Sequence, residues 1–436
     1  MNARKSQARS VYFFAIAVGT AGGSLGFIAG CPSVPVPPGN GNGDTNGEPT
    51  ASKFVGADTC MPCHSGMHTD WAGTAHATAL ETLEAIGQGE NGECLGCHTV
   101  GFNDDGFVNR ADTPELAGVQ CENCHGPAAD HAADPGDLAL RPAVDLSAEL
   151  CGTCHTDAHH PTFDEWQLSK HAVALEGLRS NPFAQDSCLE CHSQDYRQAI
   201  EEQEAGEDVE VPTLATAQFS IECATCHAPH GGVAQDHQLR QPIANLCGEC
   251  HTQEEAGLGD TPHHPQFEML TGIGAFQSDG SSLEQTHVHS SLAAAGGAAC
   301  AQCHVVEHEV EEPNEGNPNV TGHTFNPFDD SITMHQADQY TGCRNCHTDA
   351  DADALRIALQ TDLSARLDAL ALFFDSANAS FVDPETLSAA DQTRLSTAKF
   401  NFQFVGADGS RGVHNPTLAR DALDVAEEII TDLTGQ

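Results

Sequence analysis

One five-residue string, Cys-x-x-Cys-His, occurs nine times, starting at Cys60, Cys94, Cys121, Cys151, Cys188, Cys223, Cys247, Cys300 and Cys343. The chain has 19 cysteines, and with Cys31 set aside the other 18 are all consumed by these strings. A disulfide framework suits an exported chain but has no use for a histidine after every pair. Zinc usually takes two Cys-x-x-Cys pairs per metal, and nine is odd. Covalent haem attachment uses every part of the string. Each thiol adds to one vinyl group of a porphyrin, the two residues between span the ring edge, and the histidine sits under the iron.

The sequence thus reads as carrying nine c-type haems with iron. The thioether positions are Cys60 and Cys63, Cys94 and Cys97, Cys121 and Cys124, Cys151 and Cys154, Cys188 and Cys191, Cys223 and Cys226, Cys247 and Cys250, Cys300 and Cys303, and Cys343 and Cys346. The proximal nitrogens come from His64, His98, His125, His155, His192, His227, His251, His304 and His347. Composition agrees. Hydrophobic residues are 39% of 436 and aromatics only 6%, a thin supply for a protein core, and porphyrin faces supply the missing apolar area. The expected fold is mainly α with much irregular loop, built around stacked haems, with a C-terminal helical bundle and little β.

The chain holds 25 histidines, so the nine motifs leave many to act as second axial ligands. The distal candidates are His76, His131, His159, His160, His171, His230, His263, His264, His287, His289, His323 and His414. His76 in WAGTAHA and His171 in WQLSKHA share the pattern W-x4-H-A. The string HHP occurs at His159-His160 and again at His263-His264. A distal ligand can come from far along the chain, so the pairing stays open.

Sixty-three acidic residues against 17 basic ones give a net charge of −46. Such a chain repels nucleic-acid phosphates. Its surface is either simply solvated or a docking face for basic redox partners.

Residues 1–30 carry Arg4, Lys5 and Arg9 ahead of an apolar stretch, the layout of an export signal. The ending IAGC resembles the lipobox of bacterial lipoproteins, which implies a lipid on Cys31. Residues 31–52 are a Pro/Gly/Asn tether. Cysteine spacing then suggests three trihaem modules, 53–150, 151–246 and 247–350, the third stretched by insertions. Leu355, Leu359, Leu363, Leu367, Leu370 and Phe374 recur at helical spacing in a C-terminal domain, 351–436. A second helix is expected over 388–404. A third opens at Asn415-Pro416, a good N-cap followed by proline.

From about residue 54 to 425 the chain resembles bacterial multihaem cytochromes c. FVGADTCMPCH, WAGTAHA, CLGCHTVGF and GVQCENCHGP are similar to the tetrahaem cytochromes of nitrification. CAQCH, TGHTF, CRNCH and FNFQFVGADGSRGVHNP resemble the C-terminal half of pentahaem nitrite reductases and octahaem oxidoreductases. The resemblance implies stacked, mostly bis-histidine haems, and His76, His171, His323 and His414 match family positions that often serve as distal ligands. One departure stands out: the nitrite reductases carry a motif ending in lysine at the catalytic haem, and here every motif ends in histidine.

Two functions fit. The first is electron transfer along the haems of an exported, lipid-anchored protein of the cell envelope, periplasmic or on the outer surface, in respiration. Its partners would be redox proteins, other cytochromes among them, and a membrane reached through the lipid; an oligomer or filament stays open. The second is reduction or oxidation of a small nitrogen or sulfur oxyanion at one haem with an open position, with His237, His308, His335 and Arg411 as candidates to stabilise charge or donate protons. Catalytic residues stay unassigned.

Overall fold

The computed structural model describes residues 52–253, 256–294, 299–327 and 342–435. The export signal, the tether, Cys31 and His335 lie outside the described residues. Most cysteine motifs sit on a short helix or at its end, as in Gly92–His98, Cys121–His125, Leu189–His192 and Ala299–His304. Such helices are too short to persist alone, so their order comes from packing. The only strands among the described residues are Ala275–Phe276 and Ser282–Leu283, antiparallel, with Ala275 opposite Leu283. The fold is mainly α with irregular loops, as expected. Among the described residues no helix is long and apolar enough to cross a membrane.

Apolar packing is uneven. The large core is C-terminal, where Leu363, Phe400, Phe404, Leu418, Leu423 and Ile429 are buried together. A smaller cluster joins Phe54, Leu80, Leu95, Val100 and Phe107, and a third joins Leu175, Leu178, Leu189 and Ala217. The motif-bearing middle of the chain has little aliphatic core of its own.

Three long helices form the C-terminal bundle: Asp349–Phe374, Ala389–Ala407 and Pro416–Thr434. Thr348, Ser388 and Asn415 cap them, each side chain accepting from a backbone N–H in the first turn. The leucine stripe is shorter than its spacing suggests. Leu359, Leu363, Leu367 and Leu370 are buried, but Leu355 is 61% exposed, as is much of Ile357. That helix also packs on the Gly342–Asn345 turn, which carries the last motif.

The same contacts recur along the chain. Trp71 Nε1 donates to the Val119 carbonyl and Trp166 Nε1 to that of Ile221, both at 2.9 Å. The N–H of Ala57 is received by Gln120 and that of Ala148 by Glu222, in each case the residue just before a motif. A second set links the later stretches. Asp164 accepts from Thr156 and Asp157, and Glu268 from Thr252 and Gln253. Phe163 N–H donates to the His155 carbonyl and Phe267 N–H to that of His251.

Candidate haem-binding site

Seven motif histidines each face an imidazole from another part of the chain. The ring centroids are 6.1 Å apart for His155 and His76, 6.0 Å for His125 and His230, and 6.1 Å for His251 and His171. They are 5.9 Å apart for His192 and His264, 6.2 Å for His227 and His323, 6.1 Å for His304 and His414, and 6.5 Å for His347 and His289. Two imidazole nitrogens, each about 2 Å from one metal ion, put their ring centroids roughly 6 Å apart. Direct packing of two rings does not require so uniform a gap.

The tautomers agree. The Nδ1 of His98 donates to the Ala79 carbonyl, that of His125 to Ala143, His192 to Ala174, His227 to His237, His289 to Val413, His304 to Phe325 and His323 to Thr321. A carbonyl only accepts, so the proton lies on Nδ1 and Nε2 keeps a free lone pair. His414 is held the same way, but by the Asp408 carboxylate. Burial lowers the basicity of His227, His304 and His323. His155, His171 and His264 are each pushed down to about 4, by desolvation first and by neighbouring imidazoles next.

His64 and His98 show no ring pair of this spacing among the described residues. His160 lies within electrostatic reach of His98; burial lowers its basicity most, Asp157 opposes this, and His98 and His159 add to it. His131 has a buried Nδ1 with no hydrogen-bond partner. His263 packs on His264 at 4.0 Å, and His287 on His289 at 4.9 Å. His159 is 9% exposed and its N–H donates to Asp157. Of the charge-stabilising candidates, His237 offers its carbonyl to His227, His308 pairs its backbone with Val320, and Arg411 donates to Ser364.

None of the 18 motif cysteines is disulfide-bonded. Thiols of different motifs meet instead. Cys60 lies beside Cys121, Cys97 beside Cys154, Cys151 beside Cys223, Cys191 beside Cys250 and Cys247 beside Cys300. Cys124 lies near Cys151, Cys226 near Cys247 and Cys250, and Cys303 near Cys343. The motifs beginning at Cys60, Cys121, Cys151, Cys223, Cys247, Cys300 and Cys343 therefore follow one another in a line. Those at Cys94 and Cys188 branch from it, at Cys151 and Cys247. At the far end the Gly342 backbone presses on the Cys303 backbone, and an added Cβ would stand 2.5 Å from the Cys303 carbonyl oxygen. Only glycine lets these two motifs approach so closely.

Some of the backbone strain serves the site. His237, His264 and Phe325 are non-glycine residues with φ of 55°, 54° and 55°, a conformation that costs energy. His237 and Phe325 present the carbonyls that orient His227 and His304, and His264 is itself one of the paired rings.

Paired imidazoles beside neighbouring thiols, repeated along a mainly helical chain, define a protein that binds several c-type haems. The family model of cytochrome c554 and c-prime matches residues 59–126, and a doubled CXXCH motif model matches 217–256. The multihaem cytochrome MtrA of Shewanella baltica is 27% identical over 260 residues, 56% of this chain and 70% of that protein. Cytochrome c-554 of Nitrosomonas europaea is 32% identical over 108 residues, 21% of this chain and 46% of that one. Among solved structures, the outer cell wall cytochrome OcwA superposes with a TM-score of 0.65 at 22% identity, covering 87% of this chain and all of that one. The undecahaem cytochrome from the S-layer of Carboxydothermus ferrireducens superposes with a TM-score of 0.64 at 24% identity, over 90% of this chain and 71% of that one. These matches and the repeated motifs support a chain that binds several c-type haems and is similar to the multihaem electron-transfer cytochromes.

Proposed function

We propose that this chain is a nonahaem cytochrome of the cell envelope, lipid-anchored through Cys31, that passes electrons between redox proteins along mostly bis-histidine haems in three modules. The observation that carries the reading is that seven motif histidines each face an imidazole from elsewhere at 5.9–6.5 Å, with His264 standing 5.9 Å from His192 and 6.0 Å from His251. A bound haem supplies reversible one-electron exchange at its iron. The chain does the rest. Its thiols fix the edge of each porphyrin, and its Nδ1–H bonds turn each Nε2 inward and fix the ring's orientation. Its neighbouring thiols set successive motifs close to one another in one branched line. The net charge of −46 suits basic partners, and the names of the outer cell wall and S-layer cytochromes support an envelope location.

A specific observation keeps the enzyme reading alive. His64 and His98 have no facing imidazole of the observed spacing among the described residues, so an outside ligand would bind at the Cys60 or the Cys94 motif.

Intact mass of the denatured protein should equal the processed chain plus nine haems; fewer haems, or zinc, removes the proposal. The ferric and ferrous spectra of the native protein should be low-spin and unmoved by cyanide, nitrite or carbon monoxide. A high-spin component that shifts with these ligands selects the enzyme.

A further inference from the structure

The eight axial candidates whose Nδ1 bonds are described above do not have equivalent partners. Seven donate to backbone carbonyls, from 2.7 Å for His125 to 3.3 Å for His192. His414 alone donates to a carboxylate, Asp408 Oδ1, at 2.6 Å. The side chain of Asp408 is fully buried, so solvent does not screen it. It is also held in place. Its Oδ2 accepts from the N–H and the hydroxyl of Ser410, and the Ser410 hydroxyl in turn receives the N–H of His414. The His414 ring faces the motif ring His304.

We infer that Asp408 is a potential-setting residue, which gives His414 imidazolate character and lowers the reduction potential of the haem held by His304 and His414. The inference rests on the bis-histidine reading above. A carboxylate on the outer nitrogen of a ligating imidazole raises the basicity of the inner one, and a more strongly donating axial ligand favours the oxidised iron. Reduction adds one electron, makes and breaks no bond, and takes one unit of positive charge from the site. The buried negative charge opposes that change directly, through space, as well as through the ligand. The Cys300 motif stands between the Cys247 and Cys343 motifs in the line of neighbouring thiols, so Asp408 sets the driving force between the terminal motif and the rest of the molecule.

The test uses the full-length haem-loaded protein, titrated with dithionite in the presence of redox mediators and followed by optical and low-temperature EPR spectroscopy. Asp408→Asn preserves shape and an acceptor oxygen while removing the charge. It should raise the midpoint of one haem, move one low-spin EPR signal and leave the other midpoints in place. Ser410→Ala frees the carboxylate from a donor, and should move the same midpoint downward. No change in either variant, or an equal rise at several haems with every EPR signal unmoved, overturns the inference. His414→Ala tests the parent reading separately: it should convert one low-spin haem to high-spin. If His414→Ala leaves the low-spin population intact, the bis-histidine assignment fails; if it succeeds while Asp408→Asn is silent, only the role of Asp408 fails.

Discussion

At the scale of single residues, the recurring device is a buried polar side chain that holds a ligand-bearing segment by its backbone. Glu165 is 0% exposed and accepts from the Thr321 N–H, the Thr321 hydroxyl and the His323 N–H. It thereby aims a ring that faces His227 from far along the chain. Glu122 does the same near the start, receiving the N–H groups of Val55, Gly56 and Ala128. Hydrogen bonds to a buried charge are the strong ones, and donors left bare cost about 1–3 kcal/mol each. Glu165→Ala should therefore lower stability by about 2–4 kcal/mol, measured by denaturant unfolding, and convert one low-spin haem to high-spin in the folded fraction. Glu165→Gln, which keeps one acceptor oxygen, should retain the low-spin spectrum. Equal spectra for Glu165→Ala and the unaltered protein would show that His323 is positioned by something else. Nothing in the string FDEW marks Glu165 for this role, because its partners are more than 150 residues away and only the folded chain brings them to it.

At the scale of elements, the C-terminal bundle scaffolds the last motifs as well as supplying a core. The turn between Ala389–Ala407 and Pro416–Thr434 carries Asp408 and His414, and its Val413 carbonyl orients His289, which faces His347. Asn401 ties the bundle together. It is fully buried, receives the Phe276 N–H, and donates to the carbonyls of Phe276 and Ala422. Asn401→Ala strips three backbone groups of partners and should cost roughly 2–4 kcal/mol, seen as a lower unfolding midpoint. The three helices were legible from period, caps and Pro416, because helical order is a local property reinforced by one apolar face. The exposure of Leu355 was not, because periodicity says where a face points and not what packs against it.

At the scale of the whole molecule, neutral buried imidazoles make the fold acid-sensitive. An unfolded histidine takes a proton near pH 6.5, whereas His155, His171 and His264 in the fold do so only near 4. Between those values the unfolded chain binds protons that the folded chain does not, so stability falls as pH falls from about 6.5 toward 4 and is fully present above 6.5. Iron competes with protons for the same nitrogens and acts in the same direction. Denaturant midpoints measured from pH 7.5 to 4.5 should decline most steeply across that window. A flat profile would mean that these rings are solvated.

The c-type haem motifs are inscribed in the sequence, since thioether formation needs only residues within one five-residue string. The three long helices are inscribed there too, by their local period and caps. Which imidazole faces which motif is not, because His76 and His155, or His304 and His414, have no short-range relation along the chain. That choice, the branched order of the motifs, and the single carboxylate behind His414 were settled by tertiary packing, which alone fixes distances between segments remote in sequence.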